Sequence, residues 1–223
     1  MKGKGAELQF ESSTQVTCPG DFPGEIGMFA VVIFVPLLYQ GVLHVSATNS
    51  GQLLTPMMLA VVVTATATGA VIARIPAYRF LSAGALGVMI AGLVLLSRVG
   101  VGASPLEVTR DIIIVGAGLG VTFPLTLVVV QAGLPHQLIG VGTSQITFWR
   151  SLGGTIGTAI LGSTLTNRLP IPYSRIGLAS TLRDLFLVAA AVAAVSVIAS
   201  LFLKEVPLTQ EAASLPAAVE VAA

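Results

Sequence analysis

Charged side chains are scarce in this chain: they make up 9% of its 223 residues, against about 25% in a typical soluble domain. The Lys and Arg count of 11 nearly cancels the Asp and Glu count of 10, for a formal net charge of +1. The chain therefore offers no basic excess that would bind nucleic acid. Cys18 is the only cysteine, so no intrachain disulfide can form. Residues 1–24 contain no apolar run and do not resemble a secretory signal peptide.

Apolar sequence, in contrast, is abundant: 54% of the residues are hydrophobic and the mean hydropathy is +0.92. Several runs approach or reach the roughly 20 residues that a helix needs to cross a hydrocarbon layer of about 30 Å. They predict an all-α membrane protein, because a backbone in lipid must satisfy its own hydrogen bonds and such long runs do not suit barrel strands. The six predicted spans are residues 26–44, 53–73, 80–97, 111–132, 141–165 and 185–203.

These spans predict one six-helix transmembrane domain over residues 26–204. A polar tail (1–25) precedes it, and a small-residue tail (205–223) that we expect to be flexible follows it. Short polar connections separate the spans, and the longest predicted connection runs from Asn167 to Arg183.

Three prolines, Pro36, Pro56 and Pro124, fall within predicted spans. Proline removes a backbone donor and kinks a helix. The kinks would either shape a cavity between helices that rock, or be the ordinary variation of membrane helices, in which Pro and Gly are common.

Glycines recur at a spacing of four residues in two spans, at Gly116 and Gly120 and again at Gly153 and Gly157. This spacing gives a helix a flat face that a neighbour can approach closely. The segment around Gly116 lacks the GxGxxG spacing of a dinucleotide-binding loop and lies inside an apolar run. Both glycine pairs therefore predict helix packing.

Polar side chains inside the spans are the first place to look for function. The fifth span is the most polar, and Arg150 is the only charged residue well inside a span. Thr143, Thr147, Arg150, Gly154 and Thr158 share one helical stripe. We expect this stripe to face the bundle interior, because a buried Arg costs several kcal/mol without water or a partner. Arg150 would then either line a solute pathway or hold a structural contact. The candidate pathway residues are Arg150, Gln145, Thr147, Gln40 and Thr126.

Asp, Glu and His are missing from the middle of every predicted span, since Glu25, Asp111 and Asp184 lie at span ends. A proton-coupled carrier needs such a group in the membrane, usually a carboxylate. The spans also lack a catalytic pair and a cluster of metal ligands. The sequence therefore predicts no enzyme, no metal site and no cofactor.

Several short motifs follow one another between about residues 29 and 208. The most specific is Phe148-Trp149-Arg150 followed by Gly153 and Gly157. The others are residues 34–42 with 50–56, 69–79, 116–125 and 201–208. In this order they resemble the carboxy-terminal half of a major facilitator superfamily transporter, and most closely the fourteen-helix drug:proton antiporters.

The resemblance implies half of a transporter, with six helices in two inverted three-helix repeats and a substrate surface that faces an amino-terminal half. That half would carry the acidic residues of proton coupling, on a separate chain or elsewhere in a longer one. The resemblance also implies a multi-pass protein of the plasma (inner) membrane with both termini in the cytoplasm. This orientation leaves a group of arginines outside, against the usual cytoplasmic excess. They are Arg98, Arg110, Arg168, Arg175 and Arg183.

Two functions remain open on the sequence. In the first, the chain forms one wall of a cavity through which a multidrug-type exporter moves amphipathic solutes. In the second, it is a membrane interaction subunit or vestigial fragment that transports nothing, which the lack of membrane carboxylates favours.

Overall fold

Six long α-helices form the described part of the chain, and no strand occurs there. The computed structural model describes residues 25–43, 45–46, 52, 54–72, 78–100, 102–132, 134, 136–168 and 175–202. Most of the predicted N-terminal tail and all of the predicted C-terminal tail lie outside these residues. The helices are α1 (Glu25–Gly41), α2 (Thr55–Ile72), α3 (Tyr78–Ser97), α4 (Pro105–Ala132), α5 (Ile139–Arg168) and α6 (Arg175–Phe202).

The predicted all-α class with six helices is thus confirmed. By length and composition, four of the helices could cross a membrane: α2, α3, α4 and α6. α1 and α5 are not among these four, each for its own reason. The described part of α1 has only 17 residues, and α5 is long but carries Arg150 and many hydroxyl groups.

Contacts at one end of the bundle fix the direction of the helices. Tyr39, near the end of α1, meets Pro105 and Thr109 at the start of α4. Arg168, at the end of α5, pairs with Asp184 on α6. We call this end, where α1, α3 and α5 finish and α4 and α6 begin, the arginine end. Since α1 runs towards it and α4 runs away from it, the groups α1–α3 and α4–α6 have opposite directions, as inverted repeats require.

Two helices begin earlier than the apolar runs predict. α4 starts at Pro105 rather than near residue 111, because Ser104 and Glu107 form a capping box. The Glu107 amide donates to Ser104 Oγ at 3.3 Å, and the Ser104 amide donates to Glu107 Oε2 at 3.1 Å. Pro105 at the first helical position is compatible with this start. The predicted polar connection over residues 98–110 was therefore too long.

The expected connection from Asn167 to Arg183 was also too long, since α5 continues to Arg168 and α6 begins at Arg175. The first turns of α6 are stabilised by packing that a search for apolar runs does not detect. Leu182 is fully buried, and Leu178 contacts the position of Gly41 on α1.

α1 lies at the centre of the bundle. Its residues Ala30, Val31, Val35 and Tyr39 are fully buried in the main apolar core. Side chains of α3, α4 and α6 complete this core, including Met89, Leu93, Ile112, Val115, Leu182, Phe186 and Ala189. α1 therefore buries one face against α3, α4 and α6.

Glycines on α4 set its distance from two neighbours. A Cβ at Gly116 would lie 2.6 Å from the Met57 carbonyl oxygen of α2, and a Cβ at Gly120 would overlap Val61 and Thr64 of the same helix. A Cβ at Gly118 would lie 2.6 Å from the Ala85 carbonyl oxygen of α3. The backbones of α2 and α3 therefore rest directly on α4.

We expect Gly120→Ala to destabilise the bundle, because the new methyl group must displace the α2 backbone rather than a flexible side-chain end. Overpacking of this kind costs about 1–3 kcal/mol. Thermal unfolding of the purified protein in detergent measures the loss. Gly69→Ala is the matched control, since a Cβ at Gly69 meets nothing within 4 Å. Equal melting temperatures for the two variants would contradict the direct contact of α2 with α4.

Candidate functional site

The Arg150 side chain connects three helices. Its Nε lies 3.2 Å from Oε1 of Glu25, the first residue of α1. Its Cζ lies 4.4 Å from the centroid of the Phe123 ring on α4, and its Nη2 donates to the Phe123 carbonyl oxygen at 3.5 Å. We call Glu25, Phe123 and Arg150 the arginine cluster.

The contact between Arg150 and Glu25 is an ion pair rather than a directed hydrogen bond. Arg150 Nε is buried and makes no hydrogen bond of good geometry, although the carboxylate oxygen is close. The Glu25 side chain is 5% exposed, whereas that of Arg150 is 26% exposed. The Phe123 ring adds a cation–π contact on one face of the guanidinium. The carboxylate thus lies inside the bundle, and the guanidinium lies at its edge.

The arginine cluster lies far along α1 and α4 from the arginine end. Thr109 and Tyr39 are in contact near the arginine end. Glu25 is 14 residues from Tyr39 on α1, and Phe123 is 14 residues from Thr109 on α4. Both separations correspond to about 21 Å at about 1.5 Å per residue. Along both helices, the cluster therefore lies far from the arginine end, and Glu25 is the first residue of α1.

Glycines on α5 bring α1 to this position. Gly153, Gly154 and Gly157 are all buried. A Cβ at Gly154 would overlap the ring of Phe29, and a Cβ at Gly157 would lie 2.8 Å from Cγ1 of Ile26. The start of α1 therefore rests on the glycine face of α5, about one turn from Arg150. This close approach explains how Glu25 reaches the guanidinium.

The stripe expected to face the interior lies along the edge of the buried face of α5. Gly154 is buried, Arg150, Thr143 and Thr158 are half-buried, and Thr147 is exposed. The centre of the buried face consists of smaller or apolar residues: Gly142, Ile146, Gly153, Gly157 and Leu161. The helix buries its glycines because they allow the closest packing, and the polar stripe is displaced towards the surface.

The other candidate pathway residues differ in exposure and in partners. Thr126 is 7% exposed and donates to the Thr122 carbonyl oxygen. Gln145 is half-buried, Thr147 is exposed and donates to the Thr143 carbonyl oxygen. Gln40 is exposed near the other end of α1. Arg150 contacts both α1 and α4.

Hydroxyl groups on α5 bond mainly to the helix itself. Most of the bonds return to the carbonyl oxygen four residues earlier, for example from Thr143 to Ile139 at 2.9 Å and from Thr155 to Ser151 at 2.8 Å. The other hydroxyls with such bonds are Ser144, Thr147, Thr158, Ser163, Thr164 and Thr166. Their donors are thus satisfied without a neighbouring helix.

The three prolines occupy different positions. Pro124 lies inside α4, next to Phe123, and Pro36 lies inside α1; both helices are continuous through them. Pro56 differs from the expectation for a span interior, since it is the second residue of α2. A proline there removes no intrahelical hydrogen bond, because the first amides of a helix have no partner within it.

Glu25 and Phe123 were missed as site residues when only the sequence was considered. Glu25 closes a polar segment at the edge of an apolar run, and Phe123 is one of nine phenylalanines. The available signal was the cost of Arg150 in a membrane, which requires a partner. The sequence does not show which carboxylate supplies it.

Comparisons with known proteins agree on one family. The sequence model of the Major Facilitator Superfamily matches residues 22–158. The multidrug transporter protein MdtP of Bacillus subtilis is 36% identical over 143 residues, which cover 64% of this chain and 26% of the relative. An uncharacterised MFS-type transporter of Mycobacterium tuberculosis, Rv1877, is 28% identical over 224 aligned residues, covering 87% of this chain and 33% of the relative.

A fungal relative has a more specific name. The MFS acetylaranotin efflux transporter ataA of Aspergillus terreus is 31% identical over 143 residues, covering 63% of this chain and 31% of the relative. The chain thus spans about a quarter to a third of the length of these relatives. The matched segment includes all three residues of the arginine cluster.

We expect neutral variants of the ion pair to differ in stability. Arg150→Gln leaves a buried carboxylate without the guanidinium charge, which costs about 3 kcal/mol or more. Glu25→Gln should cost less, because Arg150 keeps Phe123 and is partly exposed. The double variant Glu25→Gln with Arg150→Gln should be more stable than Arg150→Gln alone. Thermal unfolding of the four proteins in detergent measures this order. Additive losses in the double variant would show that the two side chains do not interact.

Proposed function

The chain belongs to the major facilitator superfamily, and on this premise we propose that it is the carboxy-terminal half of a multidrug-type exporter. In this proposal it pairs with an amino-terminal half, which supplies proton coupling, in the plasma membrane. The two halves enclose a central pathway for amphipathic small molecules and rock against each other in alternating access. Both termini of the half lie in the cytoplasm.

The observation that carries the proposal is the place of the arginine cluster. Its residues come from both three-helix groups, since Glu25 is on α1 while Phe123 and Arg150 are on α4 and α5. Transporters with inverted repeats place their substrate sites near the middle of the membrane, where the repeats meet. A partly exposed charged group where the two repeats of a membrane bundle meet is expensive unless it serves such a site.

The exposed surface of α5 carries both aromatic and polar side chains, which suits an amphipathic solute. Phe148 is 55% exposed, and its ring meets that of Trp149 edge to face, with centroids 5.8 Å apart. Thr147 adds an exposed hydroxyl one turn before Arg150 on α5. Aromatic area next to a few polar groups is typical of small-molecule sites. The names of the relatives, a multidrug transporter and an efflux transporter, support the same class of solute.

The Glu25 carboxylate bears on proton coupling. It is buried and held by Arg150, so it balances a fixed positive charge in this half. The proton-carrying carboxylates therefore lie in the amino-terminal half, and Glu25 positions Arg150. The residue that contacts solute is Arg150, because its guanidinium reaches the surface and the Glu25 carboxylate does not.

Ethidium efflux tests the proposal in cells that lack related pumps. We expect the chain expressed by itself to export no more ethidium than an empty vector, and the chain together with an amino-terminal half of the Bacillus subtilis relative to export it. The double variant Glu25→Gln with Arg150→Gln should keep the protein in the membrane while lowering efflux about tenfold or more, the size of effect expected when an interaction made during transport is lost.

A second ion pair provides the matched control. Arg168 and Asp184 also join two helices, but their side chains are 61% and 45% exposed at the arginine end. Arg168→Gln with Asp184→Asn removes the same two charges and should leave efflux near that of the unchanged protein. Full efflux by the Glu25 and Arg150 double variant would place the cluster outside the pathway. Strong efflux by the chain alone would contradict its assignment as a half.

A further inference from the structure

A groove opens at the arginine end between the end of α3 and the first turns of α6. α3 ends at Ser97, whereas the antiparallel α6 begins at Arg175 and passes beside the end of α3. The resulting cavity has a volume of about 390 Å³, within the usual range for small-molecule sites. It is lined by Ser97, Arg98, Val99, Gly100, Ile176, Ala179, Ser180 and Arg183.

The lining combines positive charge with apolar surface. Ile176, Ala179, Ser180 and Arg183 are spaced at three or four residues, so they form one face of α6. Arg98 approaches this face from the end of α3. The described lining thus contains two guanidinium groups and no carboxylate.

The neighbouring carboxylates have other partners: Glu107 accepts from the Ser104 amide, and two aspartates are held by other arginines. Asp111 accepts two hydrogen bonds from Arg110, at 2.9 and 2.8 Å. Asp184 lies 2.6 Å from Nη1 of Arg168. Arg98 and Arg183 are both exposed. Within the ranges that the structure describes, no ion pair is recorded for either of them. The groove therefore has an unbalanced positive charge.

We propose that this groove binds the phosphate group of an anionic lipid headgroup. Two guanidinium groups suit a phosphate, because each presents several donors to its oxygens. The depth is also appropriate, since Ser97 is the last residue of an apolar membrane-length segment, Phe80–Ser97. Basic pockets between membrane helices on the cytoplasmic side bind anionic headgroups, and the same pairing of guanidinium with phosphate applies at the arginine end.

The apolar surface favours a lipid over a soluble phosphate. Ile176 is 73% exposed beside the groove. Leu187, four residues after Arg183 on the same face of α6, is 39% exposed towards the membrane side. An acyl chain that runs into the membrane would cover Leu187 while the phosphate contacts Arg98 and Arg183; Ile176 lies two turns from Arg183 in the other direction. Free phosphate would leave Leu187 uncovered.

Native mass spectrometry of the full chain in detergent tests the proposal, with phosphatidylglycerol, phosphatidylcholine and inorganic phosphate as probes. The variant Arg98→Gln with Arg183→Gln should bind phosphatidylglycerol about 10- to 30-fold more weakly, since each basic residue near an anionic lipid contributes about fivefold. Phosphatidylcholine should bind the unchanged protein more weakly than phosphatidylglycerol, because its trimethylammonium group meets two arginines.

The control is Arg110→Gln with Arg168→Gln, which removes the same charge from the same end but acts on paired arginines. It should bind phosphatidylglycerol within about twofold of the unchanged protein, the range expected for exposed ion pairs. Equal weakening in both variants would overturn the site in favour of general surface charge, and no weakening in either would place the headgroup elsewhere. Displacement of phosphatidylglycerol by millimolar inorganic phosphate, lost in Arg98→Gln with Arg183→Gln, would overturn the lipid assignment. Thermal unfolding without added lipid checks that both variants fold.

Discussion

Close approach of helix backbones is the constraint on which the rest of the structure depends. Lipid chains are as apolar as leucine, so helices in a membrane gain little from hiding apolar surface and rely on tight packing. α4 meets this constraint with Gly116 and Gly120 against α2, and with Gly118 against α3. α5 meets it with Gly154 and Gly157 against the start of α1. Each of these contacts leaves too little room for even one methyl group without a shift of its neighbour.

The electrostatics of the bundle follow from this packing. Glu25 reaches Arg150 because Ile26 and Phe29 rest on the α5 glycines. At the arginine end, within the described residues, some arginines are paired with carboxylates and others are not. There, Arg110 and Arg168 are each paired with a carboxylate, while Arg98 and Arg183 face a groove instead. The excess of arginine at this end, which conflicts with the orientation implied by the family, would be balanced by lipid phosphate.

The number and class of the helices could be predicted from the sequence, because apolar runs of membrane length leave few alternatives to a helix. The starts of α4 and α6 could not be predicted from apolarity, since they depend on local and tertiary contacts. Ser104 and Glu107 were readable as a capping box, whereas Leu178 and Leu182 are held by packing against distant residues. The partner of Arg150 was beyond prediction for a similar reason: Glu25 lies far away along the chain and meets it only through the register of α1 on α5. Whether the five candidate residues line a pathway stays a prediction, which the efflux experiments address.

The hydroxyl groups of α5 have a consequence for motion. Thr143, Ser144, Thr147 and Thr155 each donate to the backbone of their own helix. This surface of α5 can exchange water for an apolar neighbour without losing a hydrogen bond from these hydroxyls, since each of them keeps its acceptor within the helix. Sliding along these hydroxyls therefore breaks none of these hydrogen bonds. Movement of a neighbour along this face of α5 would leave the ion pair of Arg150 with the buried Glu25 as the fixed contact between α5 and α1.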